Sequence, residues 1–382
     1  MILIKNIDIY SPKHLGKKDV FISGGKIVLI EDNINLENKK IKVIDGKDKI
    51  LTPGFIDQHV HITGGGGEGS FKTRAPEITL TKLTSSAITT VVGLLGTDGT
   101  TRSIENLVSK AKALKEEGIT VFAHTGSYEY PTVTLTGSIK KDIAFVDEII
   151  GVKLALSDHR APNVSNLELQ RVASDARVAG MLSGKAGIVV LHMGDGKKGL
   201  SPVNEILEET EIPIKTIRPT HVNRKKELLE EAFDYAKRGG KIDLTCGMRQ
   251  DLNPGKCIVK AIEESVPLEN ITISSDGYGS WSKYDKEGNL IKMGVSSVKS
   301  LHEEFKIMIN ELNFSIEEAL TYITSNVAKA LEIYPRKGCI NEQSDADVIL
   351  LDKNLNIDTV IANGKLMIEN KEILVYGSYE KI

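Results

Sequence analysis

The sequence predicts an α/β chain in which a (β/α)8 barrel is joined to a small β-sandwich assembled from both chain ends. Two observations carry this expectation. Short apolar runs recur through the middle of the chain with helical stretches between them, the alternation of a parallel sheet covered by helices. Both ends instead carry β-rich runs punctuated by turn residues, with too few apolar positions to fold alone.

The middle runs number eight, at 54–61, 88–95, 120–124, 151–156, 188–192, 216–221, 241–246 and 271–276. Eight such units match a closed barrel, with an open doubly wound sheet as the alternative. The clearest helix spans 103–117, where Ile104, Leu107, Val108, Ala111 and Leu114 share a face and Gly118 offers a stop. At the amino end the β-runs are 1–10, 19–22, 26–30 after Gly24-Gly25, and 41–45. At the carboxyl end they are 347–351, 357–362 and 365–368, the last two joined by an Asn363-Gly364 hairpin signal. The expected division is one discontinuous domain of 1–52 with 340–382, flanking a barrel of 53–339.

Composition bounds the function. The chain has 382 residues, 40% hydrophobic and 26% charged, which excludes collagen-like, disordered and disulfide-scaffold classes. Lysine and arginine number 49 against 52 acids, a net charge of -3 that gives no reason to expect nucleic acid and favours a small polar ligand. Cys246, Cys257 and Cys339 lie far apart with no paired spacing, which fits a reducing compartment. The amino end lacks the apolar stretch of a secretory signal, and the most apolar window, 87–95, is broken by Thr89, Thr90 and Gly93. A cytoplasmic protein with no membrane partner is expected.

Polar residues gather at the strand ends. His59 and His61 lie two apart at the end of the first barrel strand, where alternation points both to one side. A lone His-x-His also fits two surface histidines. His192, His221 and Asp276 close the fifth, sixth and eighth strands at the same rim, and each is a potential metal ligand. Lys153 sits between Val152 and Leu154 in an apolar strand, where an uncompensated ammonium is costly. His124 and His159 complete no ligand set and read as structural; His14 and His302 read as surface residues.

The run Pro53-Gly54-Phe55-Ile56-Asp57-Gln58-His59-Val60-His61, Lys153, His192, His221, Ser275-Asp276 and the late Gly338…Ala346-Asp347-Val348 segment resemble the amidohydrolase superfamily over nearly the whole chain. The resemblance implies two divalent metal ions. His59 and His61 would hold the more buried one, His192 and His221 the other, Lys153 carboxylated by carbon dioxide would bridge both, and Asp276 would complete the buried site. Zinc is the preferred metal because imidazole-rich sites suit it. The implied reaction is hydrolysis of an amide-like bond, with Asp276 moving the proton.

Loops at the same rim narrow the substrate. Gly64-Gly65-Gly66-Gly67-Glu68-Gly69 displays one carboxylate on a flexible backbone. It is no phosphate loop, because Ser70 follows the last glycine and Lys72 comes later. The other exits present Tyr128, Ser157-Asp158-His159-Arg160, Asn223-Arg224 and Gly277-Tyr278-Gly279-Ser280.

Glu68, Thr97, Tyr128, Ser157-Asp158-His159-Arg160, Arg224 and Ser280 are similar to the isoaspartyl dipeptidase branch, which cleaves β-aspartyl dipeptides. That likeness implies Glu68 for the substrate ammonium, Arg160, Arg224 and Ser280 for its carboxylates, and Tyr128 as hydrogen-bond donor to the developing oxyanion. Relatives of this branch form octamers, so a homo-oligomer is expected. Blander readings stand beside these: Arg160 as a brace on Asp158, Arg224 as a solvated helix start, Glu68 as an incidental loop charge, Tyr130 as the working phenol. The rival functions are a cyclic amidase of the dihydropyrimidinase or dihydroorotase type and a non-catalytic scaffold.

Overall fold

The computed structural model describes residues 1–381. Eight parallel strands follow one another in chain order around a barrel: β1 (Phe55–Val60), β2 (Ile88–Gly93), β3 (Thr120–Gly126), β4 (Ile149–Leu156), β5 (Ile188–Met193), β6 (Ile217–Thr220), β7 (Ile242–Thr245) and β8 (Ile271–Ser274). Each expected run holds one of them, with ends shifted by up to two residues. Closure is achieved at the carboxyl ends, where Val60 bridges Gly277 and the His61 amide donates to the Gly277 carbonyl at 2.9 Å. Lower down, the gap between β1 and β8 is filled by Tyr322 and Ile323, whose carbonyls accept from the Ile273 and Ile56 amides.

Helices cover this cylinder because their apolar stripes have nowhere else to go. In Ile104–Glu117 the buried residues are Ile104, Leu107, Val108, Ala111 and Leu114, the face read from the sequence. Ser103 caps its start by accepting from the Asn106 amide, and Gly118, at φ 124°, ends it in a conformation that disfavours a side chain. Asn166–Ser183 opens with a reciprocal Ser165/Glu168 capping box and stops at left-handed Gly184.

Both chain ends join in a single nine-stranded mixed sheet. Its central strand, Ile2–Tyr10, pairs with His14–Ser23 along one edge, and along the other with Lys42–Asp45 and then Ile50–Pro53. The carboxyl-terminal strands join through Val348–Leu351, antiparallel to Ile50–Pro53. The expected sandwich is therefore one continuous sheet whose two wings enclose a common core of Ile4, Ile7, Ile9, Val20, Ile22, Val348, Leu350 and Ile361. Asn363 and Gly364 both take positive φ, 48° and 73°, as their hairpin signal requires.

One strand fastens the two parts. Along Val348–Leu351, Val348 and Leu350 face the sheet core while Ile349 and Leu351 pack into the barrel's cluster. Burying each of those two side chains contributes roughly 1.5–3 kcal/mol. Among the described residues no helix is long and apolar enough to cross a membrane. The cysteines are free and buried. His14 is exposed, as expected, but His302 is not a surface residue: it is largely buried against Phe55 and Phe305, and its Nε2 lies 2.8 Å from the Leu355 carbonyl.

Candidate active site

Three strand ends bend sharply into the loops that follow. Ser157 after β4, His221 after β6 and Asp276 after β8 all take positive φ, 52°, 63° and 52°, a conformation that costs a side-chain-bearing residue energy. The turns put the His221 and Asp276 side chains, with His59 and His61, at one mouth, whereas the Ser157 hydroxyl donates to the Gly199 carbonyl at 2.8 Å. A register irregularity in β1 between Asp57 and Val60 breaks strict alternation there, yet the two histidines still converge: His61 Nε2 is 3.2 Å and His59 Nε2 3.5 Å from Asp276 Oδ1.

The remaining expected ligands extend that contact. Lys153 is fully buried, with Nζ 3.2 Å from His59 Nε2 and no carboxylate partner in contact. Burial lowers its pKa to about 7, so a large fraction is the neutral amine. His221 stands edge-on to both His59 and His192, with ring centroids 4.8 and 4.7 Å apart. Its Nδ1 is 2.8 Å from Thr245 Oγ1, which leaves Nε2 as its free nitrogen.

Burial, with positively charged neighbours adding to it, holds His59, His192 and His221 far below the usual imidazole range. They are neutral, the form that binds metal. His59, His221 and Asp276 offer ligand atoms within 4.8 Å of one another. This grouping differs from the expected pairing, in which His59 went with His61 and His221 with His192.

His192 is engaged on both nitrogens. Asp158 Oδ2 lies 2.9 Å from its Nε2, and the Tyr128 hydroxyl 2.5 Å from its Nδ1. Asp158 is held well below the ordinary carboxylate range: burial would raise it, but hydrogen bonds from Arg160 and His192 outweigh burial. An ionised carboxylate only accepts, so the proton sits on Nε2 and Nδ1 accepts from the phenol. Burial pushes the Tyr128 pKa up, keeping the phenol protonated.

A cavity of about 360 Å³ opens above this cluster, lined by His61, Asp276, Tyr128, His192, Thr97, Arg160, Arg224 and Ser280. Tyr128, and not Tyr130, reaches it. Glu68 lies in an adjoining pocket behind three of these residues: its Oε1 accepts from Ser280 at 2.7 Å and from Thr97 and Arg160 at 3.3 Å, while Oε2 is buried without a partner. Arg160 does brace Asp158, through Nε and Nη2 at 2.9 and 2.8 Å, while Nη1 turns to Glu68 and the residue lines the cavity. Arg224 lies in a short turn before the helix Lys226–Lys237 and anchors its Nε to the Met193 carbonyl at 3.1 Å.

Sequence reading missed several residues. Thr245, Met248, Arg249 and Trp281 also line the cavity. Asp57, buried beneath the histidines and hydrogen-bonded by Ser275, is raised by burial to about 7. His124 and His159 stay outside the cavity. His124 is buried in the barrel, where burial lowers its pKa to about 3, and His159 stacks edge-on to Tyr284.

The chain belongs to the amidohydrolase family, whose model matches residues 50–201 and 248–367. Among solved structures it is similar to a β-aspartyl dipeptidase from Fervidobacterium islandicum AW-1 in complex with β-Asp-Leu dipeptide. The TM-score is 0.92 and the identity 43%, over 97% of this chain and 98% of that one. A second structure of that enzyme gives 0.89 and 41%, with the same coverage. A D-hydantoinase matches at TM-score 0.69 over 99% of this chain and 97% of that one, but its 18% identity speaks for the fold alone.

Dihydroorotases are similar in sequence. The Clostridium acetobutylicum enzyme is 35% identical over 127 residues, 32% of this chain and only 29% of that enzyme. That of Listeria monocytogenes EGD-e is 27% identical over 96% of this chain and 93% of that enzyme.

Proposed function

We propose that this protein hydrolyses the isopeptide bond of β-aspartyl dipeptides with two divalent metal ions, zinc preferred, at the barrel mouth. One observation carries the substrate: Arg160, Arg224 and Ser280 line the same cavity as His61 and Asp276, and Glu68, in the adjoining pocket that shares Gly66 and Thr97, is directly bonded to Ser280 and Arg160. A β-aspartyl dipeptide brings one ammonium and two carboxylates; the cavity is lined by the guanidinium groups of Arg160, Arg224 and Arg249, and the Glu68 carboxylate lies directly behind Arg160 and Ser280. Neutral or singly charged ring substrates bring no ammonium to the Glu68 Oε2 that is buried without a partner. The likeness to the F. islandicum dipeptidase supports the same choice.

The residues present fit a metal centre. Neutral imidazoles, a carboxylate and a buried lysine with no counter-ion converge, and the Nδ1 atoms of His59 and His61 are buried without partners. His59, His61, His192, His221 and Asp276 would hold the ions, with Lys153 carboxylated by carbon dioxide as the bridge. With its pKa lowered to about 7, about half of its amine near pH 7 is the neutral form that carboxylation requires. When bound, such ions supply Lewis acidity and a nucleophile available at neutral pH.

The chain's own groups do the rest. Glu68 binds the α-ammonium; Arg160, Arg224 and Ser280 orient the carboxylates. Tyr128, kept protonated, donates to the carbonyl oxygen as charge builds on it. Asp276 takes the proton released by the attack and returns it to the departing nitrogen.

A cyclic amidase is the second reading, favoured by the near full-length dihydroorotase likeness. Metal-loaded protein given β-Asp-Leu, α-Asp-Leu, dihydroorotate and dihydrouracil decides between them. Selective hydrolysis of the β-linked dipeptide is expected. Ring opening with the dipeptide left intact would replace this reading with the cyclic amidase.

A further inference from the structure

Asp158 stands where recognition and metal ligation meet. The residue is 6% exposed and follows strained Ser157 at the exit of β4. Its Oδ1 accepts from the Arg160 amide at 2.8 Å and Arg160 Nε at 2.9 Å. Its Oδ2 accepts from Arg160 Nη2 at 2.8 Å and His192 Nε2 at 2.9 Å. Four donors saturate the carboxylate, and they come from two residues with different tasks. The Asp158 to His192 contact spans 34 positions in sequence and joins two strand ends.

We propose that Asp158 is a positioning residue that couples substrate binding to the metal centre; this rests on the dipeptidase reading for the role of Arg160. Toward His192 it holds the proton on Nε2, so that the Nδ1 lone pair, which here accepts from the Tyr128 hydroxyl, faces the site. Toward Arg160 it occupies Nε and Nη2 and leaves Nη1 to reach Glu68, Thr97 and the cavity. A substrate carboxylate that draws on Arg160 therefore pulls on the same anion that orients His192. Because coupling between two sites is reciprocal, loss of the Arg160 clamp must also be felt in metal affinity.

The test is zinc titration of metal-free protein in competition with a chromophoric chelator, for wild type, Asp158→Asn, Arg160→Met and the double variant, alongside KM for β-Asp-Leu. In Asp158→Asn an amide NH2 replaces one acceptor oxygen. One zinc equivalent should weaken about 10- to 100-fold, as outer partners of metal ligands commonly do, and KM should rise. Arg160→Met removes the clamp together with the Nη1 contacts to Glu68 and Thr97; it should raise KM and weaken the same equivalent several-fold. The double variant should fall short of the sum, because both changes act through one carboxylate.

If Asp158 merely braces the loop, both single variants raise KM and leave zinc affinity at the wild-type value, and that result overturns the proposal. Should Asp158→Asn fail to fold, Arg160→Met alone decides, since its side chain lies at the cavity rim. The zinc arm uses no substrate. A wild type that binds zinc but ignores β-Asp-Leu sinks the dipeptidase reading while leaving the Asp158 to His192 link standing.

Discussion

In the barrel interior below the mouth, buried Asp243 of β7 accepts hydrogen bonds from Gln58, Thr220, Thr272 and Ser274, and Arg218 donates to Gln58 and the Ala330 carbonyl. Toward the carboxyl ends of the same barrel, Lys153 finds only an imidazole, and buried nitrogens of His59 and His61 find nothing. Both clusters are buried and polar. The lower one is almost closed on itself, with Arg218 Nε its one unpartnered atom, whereas the upper one is open by several groups. Unpaired buried polar groups cost stability, so an open cluster persists where something outside the chain completes it.

That contrast predicts opposite responses to substitution. Lys153→Ala should lower kcat for β-Asp-Leu on the order of a thousandfold, the scale of losing several kcal/mol of metal-centred stabilisation, and short carboxylic acids should restore part of it. Chelation should abolish turnover reversibly. Lys153→Met should nevertheless raise the melting temperature of metal-free protein, because it removes an uncompensated buried amine. A metal-free Lys153→Met that melts below wild type would mean that the mouth is satisfied internally and would break the comparison.

Asp243→Ala tests the other side. Four donors lose one acceptor, and a loss of about 3 kcal/mol of stability is expected, read as a lower denaturation midpoint. Zinc bound per folded molecule should stay at the wild-type value. Loss of zinc from that variant would show that the two clusters are one unit. Within the mouth, Tyr128→Phe isolates a single donor. It should lower kcat about 100-fold with zinc content unchanged, measured by steady-state kinetics on metal-loaded protein.

Sequence alone made the mouth legible because its parts share a position rule. His59, His61, His192, His221 and Asp276 end strands that apolar runs announce, and Lys153 interrupts one such run. Asp243 interrupts another, between Ile242 and Leu244, so the same signal was present for the lower cluster and went unread. Asp158 was visible as a partner for Arg160 two residues on. Its bond to His192 was not, because no spacing announces a contact between two different strand ends. The cavity wall of Thr245, Met248, Arg249 and Trp281 escaped for a related reason: nothing in their local pattern separates loop residues that line a cavity from those that face solvent. In the terminal sheet the hairpins were legible from Gly24-Gly25 and Asn363-Gly364, but its continuity depends on long-range pairing of Ile50–Pro53 with Val348–Leu351.

A carboxylate in that terminal sheet extends the comparison to a cluster complete without any ligand. Asp19 is buried, and its oxygens accept from the Asn6 and Ile34 amides at 2.9 Å each, with Lys5 Nζ 3.1 Å away. Burial would raise its pKa, but these donors outweigh burial and lower it below the ordinary 3.8. A folded-state pKa below the unfolded one means that the ionised form stabilises the fold above the unfolded value, and that this contribution fades as pH falls through the folded one. Asp19→Asn should therefore cost about 1.5 kcal/mol at neutral pH. The gap between variant and wild type should stay constant down to about pH 5 and narrow toward about pH 3, where protonated aspartate resembles asparagine. Urea denaturation across that range measures it. A gap independent of pH would assign the loss to altered packing instead.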